Sequence, residues 1–252
     1  MSMQSVGTMP LDIGEVLGDT FAVIGRTFVT LANIAVMFVA IPAVVRIAGA
    51  VLTPVSPAFA LLDAIGAIAH GIGTIIASNA ILLVTMRDLH GQAVDTGTMF
   101  QVAARKFWPV VGLIILLALG VALGMMLLIV PGVMLALAWS VAQPALVLED
   151  RGVLDSFKRS LELTRRKRWS IFLLYFLVFL IAIVAEVVVS VLFFSVSGGL
   201  RGYASASSTT TVVSSLLSVI ATPFSAVLSA ALFNQLRGKA GYGAEAVAEV
   251  FA

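Results

Sequence analysis

The chain has 252 residues, of which 60% are hydrophobic and 11% charged, with a formal net charge of +2. Soluble domains carry about 25% charged residues, so this composition leaves too few charged groups to cover a water-facing surface. The chain has no cysteine, which excludes disulfides and cysteine-held metal centres. The composition therefore predicts an all-α, polytopic integral membrane helical bundle.

Six apolar runs follow one another along the chain, each long enough to cross the hydrocarbon core of a bilayer. The predicted spans are 28–53, 59–86, 108–130, 133–148, 169–196 and 211–236. An amphipathic helix at 11–27, amphipathic linkers at 95–107 and 152–168 and a tail at 237–252 complete the chain. We therefore expect a single membrane domain.

The third and fourth spans are separated only by Pro131-Gly132, for which we predict a tight turn. As one helix, residues 108–148 would extend about 60 Å, which is twice the thickness of the bilayer core. The sequence therefore favours a helical hairpin over one long broken helix. Pro144 and Pro223 are expected to kink the fourth and sixth spans.

The basic residues fall almost entirely on one side of the six-span arrangement, and only Arg46 and Arg201 fall toward the other side. The residues on the basic side are Arg26, Arg87, Arg105, Lys106, Arg151, Lys158, Arg159, Arg165, Arg166, Lys167, Arg168, Arg237 and Lys239. Basic loops stay in the cytoplasm, so both termini are expected on the cytoplasmic side of a bacterial inner membrane. Residues 1–14 lack the features of a cleavable signal peptide.

The linker 152–168 has helical periodicity. Its less polar residues are predicted on one face and its charged residues on the other: Leu154, Phe157, Leu161 and Thr164 against Asp155, Lys158, Arg159, Glu162, Arg165 and Arg166. This pattern is typical of a helix lying in the headgroup layer. We expect Arg159, Arg165, Arg166, Lys167 and Arg168 to contact anionic lipid headgroups. Alternatively, these charges only set the topology.

Ionisable residues inside spans are costly and often functional. Arg46, Asp63 and Glu186 are all predicted in the outer part of the bilayer, where they would form an intramembrane polar site. Alternatively, they snorkel to the headgroups or form a structural ion pair. His70 lies deep in the second span, where it either relays protons or, as we favour, is a neutral histidine bonded to a neighbouring helix.

The sequence contains no recognisable enzyme motif. There is no glycine-rich phosphate loop, nucleophile elbow, zinc-binding helix motif or nucleotide fingerprint. The basic linkers lack the interleaved aromatic residues of a nucleic-acid surface, and two histidines are too few for a His-rich metal site. We therefore expect no catalytic residues, no cofactor, no metal and no nucleic-acid partner.

The stretch from 129 to 169 resembles the glycerophosphoryl diester phosphodiesterase membrane-domain family and the related YciC-like proteins. The resemblance is carried by Pro131-Gly132, Trp139, Pro144, Glu149, Ser160, Leu163-Thr164 and Trp169, with a further similarity at 12–17. It implies a multi-pass helical fold with a connection to lipids or the cell envelope. In family members with phosphodiesterase activity, the chemistry belongs to a separate soluble domain, so that activity is not carried over.

These features predict a non-enzymatic inner-membrane protein that interacts with lipids, with further copies of itself or with partner membrane proteins, in envelope or lipid homeostasis. The alternative is a small transporter or channel that uses the intramembrane polar site. The two hypotheses differ in their sensitive residues. Neutralising the basic linker should abolish a lipid-linked function, whereas neutralising Arg46, Asp63 and Glu186 should abolish transport.

Overall fold

The computed structural model describes residues 11–52, 56, 58–92, 96–165, 167–197 and 206–238. Within these ranges all regular structure is helical. The helices are α1 (Ile13–Ala35), a π-helical turn (Val36–Ala40), α2 (Ile41–Leu52), α3 (Phe59–Leu89), α4 (Thr96–Arg105), α5 (Phe107–Leu127), α6 (Ile129–Ala138), α7 (Ala142–Leu148), α8 (Val153–Thr164), α9 (Arg168–Ser197) and α10 (Ala206–Gly238). The expected all-α class is confirmed.

Six helical segments in the described part of the chain are long and apolar enough to cross a membrane. They are Ile13–Leu52, Phe59–Leu89, Phe107–Leu127, Ile129–Leu148, Arg168–Phe193 and Thr210–Gly238. These segments coincide with the six apolar runs of the sequence, with differences mainly at their ends. The short helices α4 and α8 precede the third and fifth segments, where the sequence predicts amphipathic linkers.

The first segment is continuous but not straight. Asp12 caps α1 by accepting a hydrogen bond from the Glu15 N–H at 3.2 Å. The helix is kinked at Thr27 (φ −108°, ψ 15°), whose hydroxyl donates to the Val23 carbonyl at 2.8 Å. The kink separates the amphipathic first half of α1 from its apolar second half, next to the expected start of the first span.

Glycines bring the first and second segments into backbone contact. A Cβ atom on Gly49 would overlap the backbone of Asp63, and one on Gly66 would overlap the backbone of Arg46. One on Gly73 would overlap the Phe38 carbonyl in the π-helical turn. These contacts fix the spacing and register of α2 against α3, because no other residue permits so close an approach.

The third and fourth segments form the expected hairpin, but the predicted position of its turn is wrong. The chain reverses at Leu128, which is extended (φ −164°, ψ 143°). Pro131 and Gly132 instead lie in the first turn of α6. Proline is tolerated at its position there because the N–H that it lacks would have no acceptor within the helix. Gly132 serves close packing, since a Cβ on it would overlap Met125 of α5.

The fourth segment is broken between α6 and α7. Residues 139–141 are non-helical, and Pro144 in the first turn of α7 has no N–H to offer the Ser140 carbonyl. Ser160 of α8 holds the break together. Its hydroxyl donates to the Ala138 carbonyl at 2.8 Å and accepts from the Val141 N–H at 3.3 Å. The expected distortion near Pro144 is therefore present and is stabilised from outside the segment.

The buried core is not distributed evenly among the helices. Fully buried side chains concentrate in the second half of α3, in α7 and in the second half of α10. In α9 the buried apolar residues, Ile171 and Leu174, lie near its start, and none of the residues in its most apolar 18-residue stretch is buried. Helix α9 is thus peripheral, with most of its apolar surface facing away from the protein.

Candidate functional site

Helix α8 exposes a strip that combines two leucines with two basic residues. Leu154, Lys158, Leu161 and Arg165 are spaced four, three and four residues apart, which places them on one helix face. Leu154 is 67% exposed and the Lys158 side chain 75% exposed. We call these four residues the α8 strip. Trp169, at the start of α9, is also exposed.

The opposite side of α8 packs against the rest of the protein. Its buried residues are Ser156, Phe157, Arg159, Ser160, Leu163 and Thr164. The predicted apolar face is therefore wrong in composition, because Phe157 and Thr164 point inward whereas Leu154 and Leu161 are exposed. The physical reason is that the hydroxyl groups of Ser160 and Thr164 both donate to the Ala138 carbonyl at the break in the fourth segment, which turns this face of α8 inward.

Arg159 does not lie where the sequence places it. We expected it on the headgroup face, but its side chain is only 8% exposed and points into the protein. Its Nε donates to Glu149 Oε2 at 3.1 Å, and a terminal nitrogen lies 3.3 Å from Glu149 Oε1. A buried guanidinium needs a charged partner, so the carboxylate that follows the fourth segment holds Arg159 on the buried side of α8.

Glu149 is the centre of a cluster of three arginines, which we call the Glu149 cluster. Besides Arg159, the Nε of Arg151 lies 2.6 Å and the Nε of Arg237 lies 3.8 Å from its carboxylate. Glu149 and Arg237 are almost fully buried, at 8% and 5% side-chain exposure, whereas Arg151 is 41% exposed. Exposed Glu162 lies 3.5 Å from Arg159. The cluster joins the end of α7, the loop before α8, the middle of α8 and the end of α10.

Sequence reasoning did not identify this cluster. In the sequence, Glu149 belongs to the motif that carries the family resemblance, and Arg237 is one of many basic residues. One signal was nevertheless present. Glu149 directly follows an apolar segment, on the side of the chain where basic residues are concentrated, so an arginine partner was to be expected.

The remaining basic residues of the linker are in different environments. Arg165 is exposed, whereas Lys167 and Arg168 are half-buried. The Nε of Arg168 is buried without a hydrogen-bond partner in the described part of the chain. Arg166 lies outside the described residues. Of the expected headgroup contacts that the structure describes, Arg165 is the one that is exposed, as such a contact requires.

Further polar contacts join the helix ends on this side, which we call the basic end. Arg26 of α1 is bonded to Asp88 of α3 at 2.7 Å. Lys106, before α5, pairs with Asp150, and burial of its ammonium lowers the pKa of Lys106. The Asp150 backbone is left-handed (φ 49°), a conformation that aspartate tolerates better than most residues.

The structure joins two of the three charged residues of the predicted intramembrane site. Arg46 Nε lies 3.8 Å from Asp63 Oδ1, and neither atom has a hydrogen-bond partner among the described residues. Glu186 is exposed on α9 and makes no ion pair with any residue that the structure describes. The geometry is that of a pair between α2 and α3 rather than of a three-residue cluster.

His70 is bonded to two neighbouring elements. Its Nδ1–H donates to the Val39 carbonyl in the π-helical turn at 3.2 Å, and its Nε2 lies 3.2 Å from the Ser218 hydroxyl of α10. Both ring nitrogens therefore have partners within the bundle. This arrangement is that of an interhelical bonding histidine. In the described ranges, no group of three or more histidine, aspartate or glutamate side chains could hold a metal ion.

Taken together, the fold and these sites define an all-helical protein with six long apolar segments and a charged, ion-paired basic end. Residues 93–236 match a family described as a domain of unknown function, DUF7847. The match covers more than half of the chain, from before α4 almost to the end of α10, and the chain belongs to this family. No curated protein and no solved structure matches the chain.

Proposed function

We propose that this chain is a non-enzymatic protein of the bacterial inner membrane that interacts with lipids through the α8 strip. The observation that carries the proposal is the exposure of Leu154, Lys158, Leu161 and Arg165 on one face of a helix whose other face is buried. A helix fixed to a bundle by one side presents its free side in a constant orientation. The strip then combines apolar contact with positive charge.

The chemistry of the strip suits the headgroup layer of a membrane. Leucine side chains bury their surface at the boundary with the acyl chains, while lysine and arginine extend toward phosphate groups. Each basic residue near an anionic surface contributes about 1 kcal/mol. Exposed Trp169 follows the strip along the chain, and tryptophan is enriched at this interface. These features support anionic lipid as the ligand.

The basic residues of the sequence support a cytoplasmic location for the basic end, and hence for both termini. The resemblance of residues 129–169 to glycerophosphoryl diester phosphodiesterase membrane domains and YciC-like proteins supports a role in envelope or lipid homeostasis. Here two of the residues that carry this resemblance, Ser160 and Glu149, have structural roles, at the helix break and in the Glu149 cluster. A partner membrane protein or a second copy would find its contact surface on exposed α9.

The alternative function is that of a small transporter or channel. The observation that favours it is the Arg46–Asp63 pair, in which both charged groups have a buried atom without a hydrogen bond in the described part of the chain. Such a pair has unused hydrogen-bonding groups that could bind a polar solute. The separate location of Glu186 and the occupied ring nitrogens of His70 weaken this alternative, because they leave only two of its four residues available.

The lead proposal is tested by native mass spectrometry of protein released from membranes in mild detergent. The variant Lys158→Gln/Arg165→Gln removes both charges of the α8 strip, and Arg26→Gln/Arg105→Gln removes two charges elsewhere at the basic end. We expect the strip variant to lose at least tenfold in retained anionic phospholipid, given about 1 kcal/mol for each charge. The control should retain it.

Two results would overturn the proposal. Equal retention by wild type and strip variant would show that the strip does not hold lipid. Equal loss in the strip variant and in the control would assign retention to the general charge of the basic end. In the first case, solute uptake by vesicles that carry wild type or Arg46→Gln/Asp63→Asn would test the alternative.

A further inference from the structure

The Glu149 cluster contains more positive than negative charge. Arg151, Arg159 and Arg237 each have their Nε within 4 Å of the one carboxylate of Glu149, and exposed Glu162 adds a second carboxylate at 3.5 Å from Arg159. The described side chains of the cluster therefore carry one more positive than negative charge. Since two of the arginines are almost fully buried, water cannot screen this excess as it would at a surface.

Arg237 has the least satisfied side chain of the cluster. Its Nε is buried without a hydrogen-bond partner among the residues that the structure describes, and its approach to Glu149, at 3.8 Å, is an ion-pair contact only. Arg159 is different, because it donates to both oxygens of Glu149. A guanidinium carries five N–H donors in a fixed plane, so leaving one buried and unbonded is costly unless an acceptor occupies the site.

Arg151 gives the cluster an opening. Its side chain is partly exposed, and within the described residues it makes one hydrogen bond, from Nε to Glu149 Oε2. Among the described residues the other nitrogens of its guanidinium have no partner. Arg151 and Arg237 thus both present unused donors beside the same carboxylate, which is itself held by Arg159.

We propose that the Glu149 cluster binds a phosphate group, held by Arg151 and Arg237. Planar guanidinium groups match phosphate oxygens by paired hydrogen bonds, and a phosphate monoester or diester supplies the missing negative charge together with several acceptors. The group can come from the head of a phospholipid or from free phosphate. The proposal does not depend on the α8 strip, because the two sites share no residue.

The test is thermal unfolding of the full chain in the uncharged detergent dodecyl maltoside. The probes are inorganic phosphate, the short-chain phospholipid dioctanoyl phosphatidate, and chloride at matched ionic strength. The variants are Arg237→Gln and Arg151→Gln, with Arg105→Gln as an exposed control at the same end of the protein. The phosphorus content of each purified protein is measured first, so that lipid phosphate retained from the membrane counts as occupancy.

For wild type and Arg105→Gln, we expect either saturable stabilisation by a phosphate probe or retained phosphorus. For Arg237→Gln and Arg151→Gln, we expect phosphate to bind at least tenfold more weakly. Stabilisation by phosphatidate alone assigns the site to a lipid headgroup, and stabilisation by both probes assigns it to the phosphate group itself. If Arg237→Gln does not fold, Arg151→Gln decides, because its exposed side chain is not part of the core. Equal responses to chloride and phosphate without retained phosphorus, or equal weakening in Arg105→Gln, would overturn the proposal.

Discussion

Gly73 and His70 lie one turn apart on α3, and both contact the π-helical turn of the first segment. A π-helical turn leaves carbonyl groups out of the regular α-helical pattern. His70 donates to one of these carbonyls, that of Val39, and Gly73 leaves room for the neighbouring carbonyl, that of Phe38. The two residues therefore act together, since one bonds the irregular backbone and the other permits its approach.

This arrangement predicts a large difference between two neighbouring glycines. A Cβ at Gly73 would overlap the Phe38 carbonyl, whereas a Cβ at Gly71 would have no atom within 4 Å. We expect Gly73→Ala to lower the free energy of unfolding by about 1–3 kcal/mol, because two backbones must move apart. Gly71→Ala should be neutral or slightly stabilising, since alanine favours helix.

Unfolding in mixed micelles of dodecyl maltoside and SDS, followed by tryptophan fluorescence, measures both glycine variants. Equal destabilisation by the two substitutions would mean that the contact between α3 and the π-helical turn does not limit stability.

The sequence predicted the contacts of some single residues and not those of others. Glycines inside a predicted span indicate close helix packing, and of Gly66, Gly71 and Gly73 in the second segment, Gly66 and Gly73 make such contacts. Composition identifies small residues but does not say which side of a helix faces a neighbour. The sequence signals an arginine partner for Glu149 but does not identify which one, so the inward position of Arg159, ten residues away and across a loop, could not be predicted.

At the scale of whole elements, the position of α8 was predicted correctly, but the prediction of which residues it buries was wrong. Helical periodicity in 152–168 predicted an element that the structure places at Val153–Thr164. The pattern was interpreted by polarity, with apolar residues assigned to one side. The buried side instead uses the hydroxyl group of Ser160 to bond the broken fourth segment. Periodicity cannot predict a polar contact that depends on a distortion in another helix.

Helix α9 provides a matched test of which surface packs against protein. Leu174 is fully buried and its neighbour Leu173 is exposed. We expect Leu174→Ala to cost about 2–5 kcal/mol of unfolding free energy, because it leaves a cavity in the core. Leu173→Ala should cost under about 1 kcal/mol, since detergent or lipid chains fill the space that it leaves. Chemical unfolding in mixed micelles measures both.

A cost at Leu173 as large as that at Leu174 would contradict the assignment of the outer α9 surface. It would indicate that another protein surface, such as a second copy of the chain, covers this helix under the conditions of the measurement.

At the scale of the whole molecule, the ion pairs lie mostly at the basic end. Arg26 joins α1 to α3, Lys106 is paired with the loop before α8, and Arg237 joins α10 to the Glu149 cluster. Of the ion pairs in the described ranges, the one between Arg46 and Asp63 lies toward the other end. The helices are therefore fixed to one another at the end that we propose to be cytoplasmic.

The proposed orientation is tested with single cysteines, because the chain has none of its own. Ser56→Cys lies between α2 and α3, and Gln92→Cys follows α3 at the basic end. With the basic end in the cytoplasm, a membrane-impermeant maleimide should label Ser56→Cys in intact bacteria and label Gln92→Cys only after permeabilisation. The opposite pattern would invert the topology, and the cysteine-free chain is the control.

The general architecture was the most predictable property of this molecule. Apolar length predicts the six segments, because a stretch of about 20 apolar residues has few alternatives to a spanning helix. The turn at Leu128 was misplaced because Pro131-Gly132 suits a turn and also suits the first turn of a helix. Local sequence does not distinguish these two uses, whereas the contact of Gly132 with Met125 does.

The bond between Ser160 and the broken fourth segment has a consequence for biosynthesis. A ribosome completes residues 138–141 before it reaches Ser160, so the Ala138 carbonyl and the Val141 N–H leave the ribosome before their partner exists. Unbonded backbone groups are costly in a lipid environment. The fourth segment therefore reaches its final form only after α8 has been translated and has folded back against it.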